Sequence, residues 1–291
     1  MSYDPHDSLI RPARKSANPV RLLLGVGLAV AIYLSLLILF VNMLPQMLGP
    51  QISRQLFDET GGAYVFFTLF QFAFMIVALS MVLRTLHRRQ LRTLIGRRDR
   101  ALGDFLVCAR YLVPLYLFFW LMPMPEGFQL EGHLHLGGWL ILLPLALPLV
   151  MIQISAEELA FRGYMQSQLA AKFRHPVIWM GIPSFLFGLL HYSLDMAGEN
   201  AWMLVVWSGL FGMAAADLTA RSGTLGAAIA LHFVNNTFAI LFAAPEGEFD
   251  GAALYTFPLS LDTPGLASTL LPLELLMTLC AWLCCRLALR V

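Results

Sequence analysis

"GGWLILLPLALPLVMIQISAEELAFRGY", residues 137–164, decides the fold. An almost unbroken apolar run leads straight into Glu157, Glu158 and Arg162. The run approaches the ~20 apolar residues that a helix needs to cross a bilayer. Two adjacent carboxyls at its end are costly in such surroundings and call for partners. The rest of the chain repeats the apolar pattern. The 291 residues are 58% hydrophobic and 13% charged, with a mean hydropathy of +0.71. A soluble domain is nearer half apolar and about a quarter charged.

Eight runs have helical length, at about 20–44, 62–83, 103–124, 139–161, 176–192, 201–219, 223–243 and 268–288. Runs this long exclude barrel strands of ~10 residues, so the expected fold is an all-α, polytopic membrane helix bundle. The first run is too long for a signal-peptide core and no cleavage site follows it, so it should remain as an anchor. The fourth continues into the amphipathic "GYMQSQLAAKFR", expected to extend its helix into the cytoplasmic interface. The polar residues 1–18 are expected to be disordered. The remaining units are residues 19–138 with the first three spans, a core at 139–245, and an outer loop with the last span at 246–291.

Charge sets the orientation. With both termini inside, the inner side holds Arg11, Arg14, Lys15 and Arg21, then seven arginines from Arg84 to Arg100. It also holds Arg162, Lys172, Arg174, Arg221, Arg286 and Arg290, while only Arg54 falls outside and Arg110 lies within the third run. The positive-inside rule therefore favours cytoplasmic termini. The expected location is a bacterial cell (inner) membrane. The outer loops are acidic, with Asp58, Glu59, Glu126, Glu131, Asp195, Glu199, Glu246, Glu248, Asp250 and Asp262. The "RTLHRRQLRTLIGRRDR" loop reads as a topology signal and anionic-lipid contact rather than a nucleic-acid site. Cys108, Cys280, Cys284 and Cys285 have neither zinc-ribbon nor redox spacing and read as inert thiols.

Ionisable groups within spans usually face a bundle interior. One cluster is Glu157, Glu158 and Arg162, a second is His191, and a third is His232 with Asn235 and Asn236. Arg110, Asp217 and Glu274 are stragglers. Glu158 and Arg162 are four apart and share a helix face, so they should pair. Glu157 points about 100° away, has no counter-charge nearby, and is free to act as a base. His232 and Asn236 share another face, with Asn235 left for helix packing. The turn between the fourth and fifth runs lies near His175-Pro176. Glu157 lies 18 residues before His175 and His191 lies 16 after it, so an antiparallel pair brings them within about 3 Å in depth.

A carboxylate and an imidazole can activate water, and a second imidazole with an amide can hold an oxyanion. Glu157, His191 and His232 would equally suit a divalent metal such as zinc with an open position for water. HExxH is absent, which excludes a zincin-type site on one helix.

The order of "EELAFR" (157–162), "FGLLH" (187–191) and "HFVNN" (232–236) resembles the CAAX protease and bacteriocin-processing (CPBP, or Abi) family. The resemblance covers about residues 140–245. It implies an intramembrane endopeptidase, with Glu157 and His191 activating water and His232 with Asn236 holding the oxyanion. Glu158 and Arg162 would be supporting residues. The family carries both metalloprotease and metal-independent glutamate descriptions, which leaves the zinc question open. The expected partners are a peptide or membrane-protein substrate and the lipid bilayer, with no nucleic acid. A proton-coupled transporter would also use buried Glu and His, but the chain has no inverted repeat. A non-catalytic scaffold or immunity protein is the other alternative.

Overall fold

A computed structural model describes residues 3–58, 61–123, 129–247, 249–257 and 259–291. Glu59, Glu126 and Glu248, counted above among the outer acidic residues, lie outside the described residues. Apolar helices follow all eight runs. They are α1 (Pro19–Leu48), α2 (Gly62–Thr85), α3 (Arg98–Trp120), α4 (Leu136–Ala170), α5 (Val177–Leu189), α6 (Ala201–Ser222), α7 (Gly226–Phe242) and α8 (Leu266–Leu289). The chain is a polytopic helical membrane protein.

Six of these segments are long and apolar enough to cross a bilayer, α6 being counted with the short turns before it. Of the eight expected spans, α5 and α7 are shorter than the other six. The 13 residues from Val177 to Leu189 rise about 20 Å, against a hydrocarbon core of ~30 Å. The short helices carry the second and third motifs.

Local sequence explains the ends. Asn18 caps α1 by accepting from the Val20 and Arg21 amides, with Pro19 in the first turn. Gly223 closes α6 in the left-handed region, at φ 72°. Beyond Glu158 the fourth helix widens into π-turns over Leu159–Gln166, and beyond Asn236 the seventh does so over Thr237–Phe242. Such turns recur at functional sites. Here the first begins within the α4 motif and the second directly follows the α7 motif.

The N-terminal expectation is also corrected. Residues 4–16 form short helical turns, and His6, Leu9, Ala13 and Ser16 are buried. Polar groups at the end of α4 supply the reason. The helix extends through this segment, and Gln166, Ser167 and Gln168 are buried against the rest of the chain. Gln168 Nε2 donates to Ser16 Oγ at 3.2 Å, and Gln166 Nε2 lies 3.5 Å from His6 Nε2. His87, in the loop after α2, joins them through Ser16 Oγ (3.0 Å) and the Tyr164 hydroxyl (2.7 Å). Tyr3 donates to Asp217 Oδ1, which also accepts from Arg221, while Trp282 donates to Oδ2. The N-terminal segment thus meets the α2–α3 loop and the C-terminal ends of α4, α6 and α8. These are the basic ends that the charge pattern places together.

A three-stranded cap closes the other end. β1 (Glu131–Gly132) pairs antiparallel with β3 (Tyr255–Phe257), and β2 (Ala243–Pro245) pairs parallel with β3. Inside the bundle, α7 packs along α3 and α4, and α5 packs along α6. The approach of α5 to α6 depends on Gly188, where an added Cβ would lie 2.6 Å from the Val205 carbonyl oxygen.

Candidate active site

α4 brings two i, i+4 pairs into the bundle. Glu158 Oε1 accepts from Arg162 Nη1 at 3.0 Å, and Glu157 Oε1 accepts from Gln153 Nε2 at 2.7 Å. Glu158 and Arg162 are essentially unexposed, and Glu157 and Gln153 are buried. The Arg162 guanidinium lies over the Phe187 ring, 4.5 Å from its centroid. Arg162 therefore links the α4 motif to the aromatic residue of the α5 motif. A buried charge is tolerated only when it is paired, and this one has an anion and an aromatic face.

His232 enters from α7 between the two carboxyls. Its Nδ1 lies 2.9 Å from Glu158 Oε1, and its Nε2 lies 3.6 Å from Glu157 Oε2. A carboxylate in an ion pair with arginine only accepts, so Nδ1 carries a proton and donates to it. Nε2 then presents a lone pair in neutral His232 and a donor in the imidazolium. Two expectations change here. Glu157, which has no ion-pair partner on its own helix, meets the imidazole of another, and Glu158 serves His232 as well as Arg162. The reason is tertiary, because α7 inserts one imidazole across both helix faces.

Asn236 joins through Gln153, donating from Nδ2 to Gln153 Oε1 at 2.9 Å. Asn235 leaves this face as expected from its position, and Tyr116 on α3 donates to its Oδ1 at 2.9 Å. His191 lies just past the end of α5. Its Nδ1 is 2.8 Å from the Phe187 carbonyl, so it donates there and leaves Nε2 open. The Phe187 ring touches both imidazoles, with centroids 4.7 Å from His191 and 5.9 Å from His232. Among the described residues no hydrogen bond or ion pair joins His191 to Glu157. The structure thus gathers Glu157, Glu158, Arg162, His232 and Asn236 directly, and His191 through Phe187.

The expected metal set of Glu157, His191 and His232 does not come together. Among the described residues no three His, Cys, Asp or Glu side chains are grouped as metal ligands. Both ring nitrogens of His232 face carboxyls and Phe187 contacts both rings. The donors therefore do not fit a three-residue metal site.

Sequence reading passed over Gln153 and Tyr116. Gln153 had a signal, as an amide one turn before Glu157 in an otherwise apolar run. Tyr116 had none, since only packing aims its hydroxyl at Asn235. Of the stragglers, Asp217 belongs to the N-terminal network and Arg110 is exposed.

Fold and site together define a polytopic membrane protein with a largely buried carboxylate, imidazole and amide cluster among its helices. Residues 138–238 match the family described as "Type II CAAX prenyl endopeptidase Rce1-like". That segment holds every residue of the three motifs, and the match upholds the resemblance drawn from them. The chain is also 28% identical over 144 residues to the uncharacterized protein YyaK of Bacillus subtilis (strain 168). That likeness covers 48% of this chain and 46% of the relative, so the chain spans about half the length of the curated relative it matches. No solved structure matches.

Proposed function

We propose that the chain is an intramembrane endopeptidase of the CAAX-processing kind, working in a bacterial cell membrane. The observation that carries this is Glu157 Oε2 facing His232 Nε2 among buried side chains, with Oε1 held by Gln153. Peptide hydrolysis needs a base for water and donors for the oxyanion, and the cluster provides both.

In this reading Glu157 Oε2 takes a proton from water as the water oxygen bonds to the scissile carbonyl carbon. The open Nε2 of His191 orients that water. The carbonyl electrons move to oxygen, and His232 Nε2–H with an Asn236 N–H receive the oxyanion. Since Nδ1–H already serves Glu158, donation from Nε2 requires the imidazolium, and the Glu158 carboxylate sustains its charge. The C–N bond then breaks, and Glu157 returns its proton to the leaving amine. No step is routed through a metal, because the donors do not assemble as a ligand set.

The substrate class is a membrane protein or membrane-associated peptide. A prenylated C-terminus, which the name of the matching family suggests, is one candidate. The direct test compares membrane-peptide proteomes of cells carrying the intact protein and Glu157→Gln. Products that vanish in the variant support the reading, and identical proteomes favour a non-catalytic scaffold. Metal analysis followed by chelation addresses the other water-activation scheme. Cleavage is expected to survive chelation, and loss restored by zinc would overturn the glutamate scheme.

A further inference from the structure

We propose that Tyr116, Asn235 and Gln153 are positioning residues that act as one line, fixing the rotation of the Asn236 amide and dedicating one oxygen of Glu157 to water. The inference rests on the hydrolytic reading above. It extends the functional set to α3, which lies outside residues 138–238.

The line has four hydrogen bonds. Tyr116 Oη donates to Asn235 Oδ1 at 2.9 Å, and Asn235 Nδ2 donates to Asn236 Oδ1 at 3.2 Å. Asn236 Nδ2 donates to Gln153 Oε1 at 2.9 Å, and Gln153 Nε2 donates to Glu157 Oε1 at 2.7 Å. Tyr116, Asn235 and Gln153 are all buried, so water does not readily replace a missing partner.

The direction of the line is dictated from its end. An ionised carboxylate only accepts, so Gln153 must turn its NH2 toward Glu157. Its carbonyl then faces Asn236, which must turn its own NH2 toward Gln153. The Asn236 carbonyl in turn requires the Asn235 NH2, and the Asn235 carbonyl requires a donor. The Tyr116 hydroxyl is that donor. A flip of any one amide would set oxygen against oxygen and leave buried groups unpaired.

Two consequences reach the reacting atoms. Glu157 Oε1 is occupied, while Oε2 has no hydrogen bond and faces His232 Nε2. The carboxylate thus offers one defined oxygen as the base. The Asn236 NH2 is held on the α4 side, and its second N–H stays available to an oxyanion. Amide groups do not readily pass protons along, so the line orients the site rather than feeding it.

The test uses the full chain in detergent and infrared difference spectroscopy with labelled glutamate. The Glu157 carboxylate band is assigned by its loss in Glu157→Gln. It is expected to shift in Gln153→Leu and, less strongly, in Tyr116→Phe, which removes a single oxygen. Both variants are compared at matched folding by circular dichroism. If Gln153→Leu fails to fold, Tyr116→Phe decides alone. An unmoved band in folded Tyr116→Phe overturns the inference and leaves the hydrolytic reading intact. Continued proteolysis by Glu157→Gln would defeat that reading and leave the band shifts of the other two variants standing.

Discussion

At the residue scale the two carboxyls of α4 divide by partner rather than by type. Glu158 Oε1 is held by Arg162 and His232, whereas Glu157 Oε1 is held by the neutral Gln153 amide and its Oε2 faces His232 Nε2. Replacing Glu157 by Gln should lower turnover of a cognate peptide at least about 100-fold, because general-base catalysis contributes about that much or more. The fold should persist, since Gln can still accept from Gln153. Asn236→Ala should cost about 100- to 1000-fold in kcat, the usual worth of one oxyanion donor. Arg162→Leu should behave differently. It leaves Glu158 buried without its cation and should destabilise the fold by about 3–5 kcal/mol, read as a lower melting temperature in detergent. An unchanged melting temperature would count against the pairing as a structural element.

At the element scale the site depends on how closely short helices approach. Gly188 lets the backbone of α5 lie against α6. Gly188→Ala puts a methyl group 2.6 Å from the Val205 carbonyl oxygen, and this oxygen belongs to the backbone. The two helices must separate, which should cost about 1–3 kcal/mol and move His191 relative to His232. Activity should fall with stability, and a fully active, equally stable variant would show that this contact does not set the geometry. The same scale explains what the sequence showed of the site. Two i, i+4 relations, Glu158–Arg162 and His232–Asn236, could be read directly because they lie within one helix. The placement of His232 across both Glu157 and Glu158 joins α7 to α4, and no spacing along either helix reveals it.

At the scale of the whole molecule the N-terminal segment ties the basic ends of the bundle together. Burial holds the His6 imidazole down at about 4, and burial with the nearby Arg89 and Arg21 charges holds His87 down at about 4. Both stay neutral in the fold, while a histidine in an unfolded chain takes its proton near 6.5. Between about pH 6.5 and 4 the unfolded chain therefore binds more protons. Stability should fall as pH drops through that window, by about 1.4 kcal/mol per pH unit for each histidine. Melting temperatures measured across the window check this, and His6→Phe should flatten the dependence. A profile unchanged by the substitution would show that His6 does not titrate on unfolding there.

The amino-acid sequence by itself determined where the eight apolar helices lie and which polar groups share a helix face. Hydrophobic run length and i, i+4 spacing are local quantities, and both survive in any arrangement of the helices. It also carried the family resemblance, because the three motifs lie in order along the chain. Only the tertiary structure decided which groups share a partner. His232 between two carboxyls, Gln153 between Asn236 and Glu157, and Tyr116 behind Asn235 all depend on side chains from different helices. The polar N-terminal residues likewise look solvated in isolation. They are buried because the end of α4 presents Gln166 and Gln168, whose amides need partners away from water.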